Sequence, residues 1–177
     1  MRKGVVILCA ICCFSVLALS GCYTSANYPE IREITSQCVD KYEEELLGLY
    51  DLCKNNNISD IGRSSANDIK DKGIDININN NQYFVVTPDG NKADAAKSEY
   101  RKACIYIDNI MKDYNIDYIH YYSHLNIMEI WFNEGLIDTH WGIVYYPPGV
   151  TPPEDIKGKD KSEEIKDGFY TYILWGG

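Results

Sequence analysis

The residues best suited to chemistry are three histidines, a few carboxylates and a dense set of aromatics in the second half of the chain. His120 and His124 stand four apart, the spacing at which two imidazoles on one helix share a metal ion. The surrounding β-branched and aromatic residues predict a strand instead. There the two rings lie on one face, about 13 Å apart, beyond joint ligation. No paired cysteine ligands and no His-Glu-x-x-His pattern accompany them. No metal site and no cofactor is therefore expected.

Glu129 and His140 flank a predicted hairpin around Asn133-Glu134-Gly135. A two-residue Glu134-Gly135 turn sets Glu129 opposite His140. A three-residue loop with Gly135 left-handed sets Glu129 against Thr139 instead. One residue of slip reverses the face a strand shows, so a Glu–His pair stays open at this point. These two are the catalytic candidates, those of a small hydrolase, and no complete catalytic constellation is legible around them. Cys104 is poorly placed as a nucleophile. The sequence has no glycine-rich phosphate loop and no serine-centred elbow.

Trp131, Trp141, Tyr145, Tyr146, Phe169, Tyr170, Tyr172 and Trp175 crowd the same region. Ring faces beside carboxylates suit a sugar or a peptide, which makes Trp131, Trp141, Tyr145 and Tyr172 the binding candidates. High strand propensity gives a plainer expectation for the same residues, that they pack a sheet.

The elements that must position these groups follow from periodicity. Ile31, Ile34, Cys38, Tyr42, Leu46, Leu49 and Cys53 recur at steps of three and four, predicting a helix over 29–54 that Asn55-Asn56-Asn57 ends. Ala93, Ala96, Tyr100, Ala103, Ile107, Ile110 and Tyr114 predict a second. Residues 58–73 read as a loop or a broken helical turn. Ile74, Ile76 and Ile78 alternate with polar residues, and Asn79-Asn80-Asn81 turns the chain into a run over 83–86. Further strands are expected over 116–122, 126–132, 140–146 and 168–174, the last two separated by a proline-rich and then charged connection. The expected fold is α+β: two amphipathic helices on one face of an antiparallel meander of about four strands, the other face partly covered.

The first 22 residues are of another kind. Arg2 and Lys3 precede an almost unbroken apolar run over 4–19, and Leu19-Ser20-Gly21-Cys22 follows. This order is that of an export signal rather than a membrane span. The last four residues resemble the lipobox of bacterial lipoproteins. That resemblance implies a diacylglyceryl group on the Cys22 sulfur, cleavage before Cys22, and a mature chain anchored in the cell membrane or outer membrane through acyl chains such as palmitate, facing outside the cytoplasm. Two acyl chains suffice for stable anchoring. The domain organisation expected is a signal over 1–21, a lipidated tether over 22–28 and one α+β domain over 29–177.

The chain carries 17 basic and 26 acidic residues, a net charge of −9, and loss of Arg2 and Lys3 with the signal leaves about −11. Phosphate backbones repel such a surface, so nucleic acid is not an expected partner. Cys38, Cys53 and Cys104 remain after processing. On one helix Cys38 and Cys53 lie about 22 Å apart, so a disulfide would join Cys104 to one of them. Three buried thiols are the alternative. The function expected from sequence is an interaction module whose partner is an envelope protein or a cell-wall glycan.

Overall fold

A computed structural model describes residues 28–63, 73–88, 98–132, 139–152 and 161–175. The signal, the tether as far as Asn27, Ala93 and Ala96 of the second expected helix and the turn at Glu134-Gly135 lie outside the described residues, while Tyr28, the last residue of the expected tether, already begins a helix. Helix α1 spans Tyr28–Asn56, and strand β1, Asp60–Arg63, follows it. Strands β2 (Ile74–Ile78) and β3 (Asn81–Val86) precede helix α2 (Ser98–Ile110). Strands β4 (Ile116–Tyr122), β5 (Ile127–Phe132), β6 (Thr139–Tyr145), β7 (Lys161–Lys166) and β8 (Phe169–Trp175) complete the order. All eight strands form one antiparallel sheet in the order β2-β3-β1-β4-β5-β6-β8-β7.

The α+β class holds, but the expectation of about four meandering strands is an undercount. Strand β1 lies in the stretch read as loop or broken turn. It has only four residues, one of them Gly62, and gains its place by pairing with β3 and β4 on either side. Strand β7 lies in the charged connection, where its sequence KSEEIK has little strand propensity. It is an edge strand, and its charges discourage further strand pairing. The same charges tie it to α1: Arg32 meets Glu163 at 3.0 Å, and Lys166 meets Glu43 at 2.6 Å.

Both helices pack on one face. From α1, Ile31, Cys38, Val39, Leu46, Leu49 and Cys53 are buried, and from α2 Tyr100, Ala103, Cys104, Ile107 and Ile110. They meet a carpet of sheet residues that includes Ile61, Ile76, Val85, Ile119, Ile130, Ile143 and Ile173. Each such aliphatic side chain contributes roughly 1.5–3 kcal/mol on burial. Cys38, Cys53 and Cys104 are free thiols within this layer. Helix α1 changes direction at Tyr42, whose backbone leaves helical geometry while its hydroxyl donates to Asp113.

Asparagine does the work at three corners. Asn57 takes a left-handed conformation (φ 55°) after α1, and the Ile58 N–H donates to the Cys53 carbonyl at 3.1 Å, closing the helix with a Schellman bond. Asn79 and Asn80 both have positive φ, as a two-residue type I′ hairpin demands, and Ile78 pairs with Asn81 across them. Asn79 and Asn81 then donate to the Asp108 carboxylate, each at 2.8 Å, as does the Tyr83 hydroxyl at 2.8 Å. This knot locks the hairpin against α2. Asn126 is left-handed in the β4–β5 turn, and its side-chain Oδ1 accepts hydrogen bonds from the Tyr50 and Tyr121 hydroxyls.

Candidate functional site

Alternation along each strand sends every second residue to the face opposite the helices. That face is partly covered, as expected. Val144, Tyr146 and Tyr172 are buried there, and Val150 from the segment after β6 packs against them. Phe84 and Val86 are buried too.

Across this face runs a row of three polar side chains from three adjacent strands. Asp60 of β1 pairs with His120 of β4, and His120 pairs with Glu129 of β5. The Asp60 carboxylate accepts a hydrogen bond from His120 Nδ1. An ionised carboxylate only accepts, so Nδ1 is the donor of this pair. The two side chains are 29% and 17% exposed for His120 and Asp60. Glu129 is 3% exposed, and the Tyr122 hydroxyl donates to its Oε2 at 3.0 Å. Burial first, then the nearby Tyr118 and Asp60, raises the Tyr122 pKa, so this phenol keeps the proton it donates. The Tyr122 ring also meets the His120 ring edge-on, 4.1 Å between centroids.

A row of rings lies beside the polar row. Tyr118 and Trp131 pair across β4 and β5 and stack, 5.0 Å apart and 20° from parallel. The indole also meets His140 at 5.0 Å and Tyr172 at 6.5 Å. Tyr172 is fully buried beside Gly142, which leaves room for it by having no side chain. Burial first, then Tyr118 and Tyr122, pushes the Tyr172 pKa well above the ordinary phenol value.

The candidates drawn from sequence thus separate. Glu129 pairs with Val144, so it faces neither His140 nor Thr139. The β5–β6 connection is longer than either turn considered, which shifts the register. His140 is exposed, lies opposite Leu174 and rests against Trp131. Of the four binding aromatics, Trp131 and Tyr172 lie on the face away from the helices. Trp141 and Tyr145 point into the helix-side core, where Trp141 stacks on Phe132 and Tyr145 packs on Phe169. His124 is in the β4–β5 turn, not in a strand, 6.2 Å from the Tyr122 ring. Cys22 and Leu19-Ser20-Gly21 lie outside the described residues.

Asp60, Tyr118 and Tyr122 were missed as site residues, and His120 was weighed only as a metal ligand beside His124. The signal for His120 was present: a four-residue Ser123-His124-Leu125-Asn126 turn pairs Tyr122 with Ile127 and hence His120 with Glu129. Asp60 carried no such signal, because its strand was not legible. Among the described residues, no group of three or more His, Cys, Asp or Glu is arranged to hold a metal ion, and no helix is long and apolar enough to cross a membrane. Compared with known proteins, the chain matches no protein-family model, no curated protein and no solved structure.

Proposed function

We propose that the protein is a lipid-anchored extracytoplasmic interaction module, held at the cell membrane or outer membrane through Cys22, whose sheet face away from the helices recognises an envelope partner. The observation that carries this reading is the Asp60–His120–Glu129 row beside Tyr118, Tyr122 and Trp131, a polar and aromatic patch mounted on rigid central strands. Such side chains cost desolvation on a sheet face even when paired, as Asp60 is with His120 and Glu129 with Tyr122, so their concentration on one face supports recognition over packing alone. The export segment supports the location, since its Leu-Ser-Gly-Cys ending follows a charged start and an apolar run.

The rival reading, a small hydrolase built on Glu129 and His140, requires those side chains to converge. His140 instead stands four residues along β6 from Val144, the residue opposite Glu129. Burial pushes the Cys38 and Cys104 thiols up to about 12 on the far side of the sheet, so neither offers a thiolate.

Metabolic labelling with an alkyne-bearing palmitate tests the anchor. The wild-type chain incorporates the label and fractionates with membranes, and Cys22→Ala loses both properties. Unlabelled wild-type protein released to the soluble fraction would overturn the reading.

A further inference from the structure

We infer that the outer edge of β2 is a pairing surface for a second copy of this chain, the two β2 strands joining antiparallel about Ile76. The inference goes beyond the recognition face and does not use it. It starts from a contrast between the two edges of the sheet. Strand β7 closes one side with Lys161, Glu163, Glu164 and Lys166, a charged composition that blocks strand addition. Strand β2 closes the other with Ile74-Asp75-Ile76-Asn77-Ile78, and among the described residues no strand pairs beyond it. Its one charge is drawn inward, the Asp75 carboxylate accepting a hydrogen bond from Gln82 Nε2 on β3.

The hairpin decides which backbone groups face outward. Ile78 and Asn81 close the two-residue Asn79-Asn80 turn as a hydrogen-bonded pair, so Ile74, Ile76 and Ile78 bond to β3. The N–H and C=O groups of Asp75 and Asn77 point away from the sheet. Arg101 Nη1 on α2 donates to the outward Asn77 carbonyl at 3.2 Å, and that oxygen keeps a second lone pair.

Charge then selects the register. Centring two copies on Asp75 sets carboxylate against carboxylate, which is destabilising in a chain of net charge −9. Centring them on Asn77 sets Asp75 against Asn79, whose φ of 47° has left strand geometry. Centring on Ile76 sets Asp75 opposite Asn77 of the second copy, and each such pair exchanges both backbone hydrogen bonds. The strand is nearly a palindrome, so its isoleucines meet isoleucines. Both helix layers then fall on one side, with the two α2 helices side by side. Ile105 stands one turn after Arg101 and so faces the same edge, where it is 39% exposed. The second copy covers it.

The test is sedimentation equilibrium of the full-length chain in a density-matched detergent held in excess. A monomer–dimer equilibrium is expected for the wild type. Asn77→Lys places an ammonium opposite Asp75 of the second copy and tightens the dimer about fivefold or more, whereas Asn77→Asp weakens it by a similar factor. The Asn77 side chain is exposed, so far-ultraviolet circular dichroism should stay native in both. Gln37→Lys, on the exposed side of α1, makes the same change in net charge and moves the dissociation constant much less. Ile105→Glu weakens the dimer. A chain that stays monomeric up to roughly 100 μM would overturn the inference. So would a dimer that Asn77→Lys weakens, as lysine on an edge open to other strands does, or one that both position-77 variants leave unchanged.

Discussion

His120 lies directly opposite Glu129 across the β4–β5 pair, and Asp60 holds the other side of the same imidazole. A histidine flanked by carboxylates on both neighbouring strands is a relationship that neither strand encodes alone. It exists because a short strand, β1, is inserted beside β4.

The bare backbone of Gly142 is what lets Tyr172 lie beside Trp131. A Cβ there would stand 1.9 Å from the Ile130 carbonyl oxygen and 3.1 Å from the Tyr172 hydroxyl. Gly142→Ala is expected to cost roughly 2–3 kcal/mol in urea unfolding, as overpacking against backbone does. Gly149→Ala meets nothing within 4 Å and pays only for its φ of +88°, about 1 kcal/mol. Equal costs at the two positions would contradict this account of the face.

Asp108 is 4% exposed and accepts bonds from Asn79, Asn81 and Tyr83. Asp108→Ala leaves these donors without their acceptor, and a loss of roughly 2–4 kcal/mol is expected. Burial opposes ionisation of this carboxyl, but the three hydrogen bonds and Lys112 prevail and lower its pKa. The ionised group therefore stabilises the fold above the ordinary carboxylate pKa of about 4, and that stability is lost as pH falls through the lower folded value. Denaturation measured against pH should show a flatter acid limb in the variant than in the wild type.

The three thiols give a separate check on the helix layer. Burial raises the Cys53 pKa further than those of Cys38 and Cys104, with Asp60 and Cys104 adding to the effect. Thiols with raised pKa are protonated at neutral pH, and the stability they contribute falls only as pH rises above the unfolded value of about 8.5. In the folded protein, iodoacetamide should modify Cys38, Cys53 and Cys104 at least about 100-fold more slowly than in denaturant. Peptide mapping reads each site. A disulfide from Cys104 to Cys38 or Cys53 in the purified protein would contradict the free-thiol core.

Much of the architecture was legible because the elements are strongly periodic. The apolar residues from Ile31 to Cys53 and the alternation at Ile74, Ile76 and Ile78 marked their elements, and Asn79-Asn80 marked a turn through its tolerance of positive φ. Strand β1 was not legible: four residues with a glycine carry no period, and only β3 and β4 make it a strand. Strand β7 was hidden by charges whose partners, Arg32 and Glu43 among its contacts to others, lie far off in sequence on α1. The site followed the same divide. Glu129 was found, but its histidine was sought across the β5–β6 connection when the β4–β5 turn supplied it.

The most direct measurement is photo-crosslinking in intact cells from two positions on the mature chain. A benzoylphenylalanine at exposed His124, in the turn beside Tyr122, samples the proposed recognition face. The same group at exposed Glu44, on α1, samples the helix layer. The account predicts one dominant adduct from position 124 that is absent from position 44 and is reduced when Asp60→Asn is added. Equal adducts from both positions, or an adduct from position 44 alone, would contradict it.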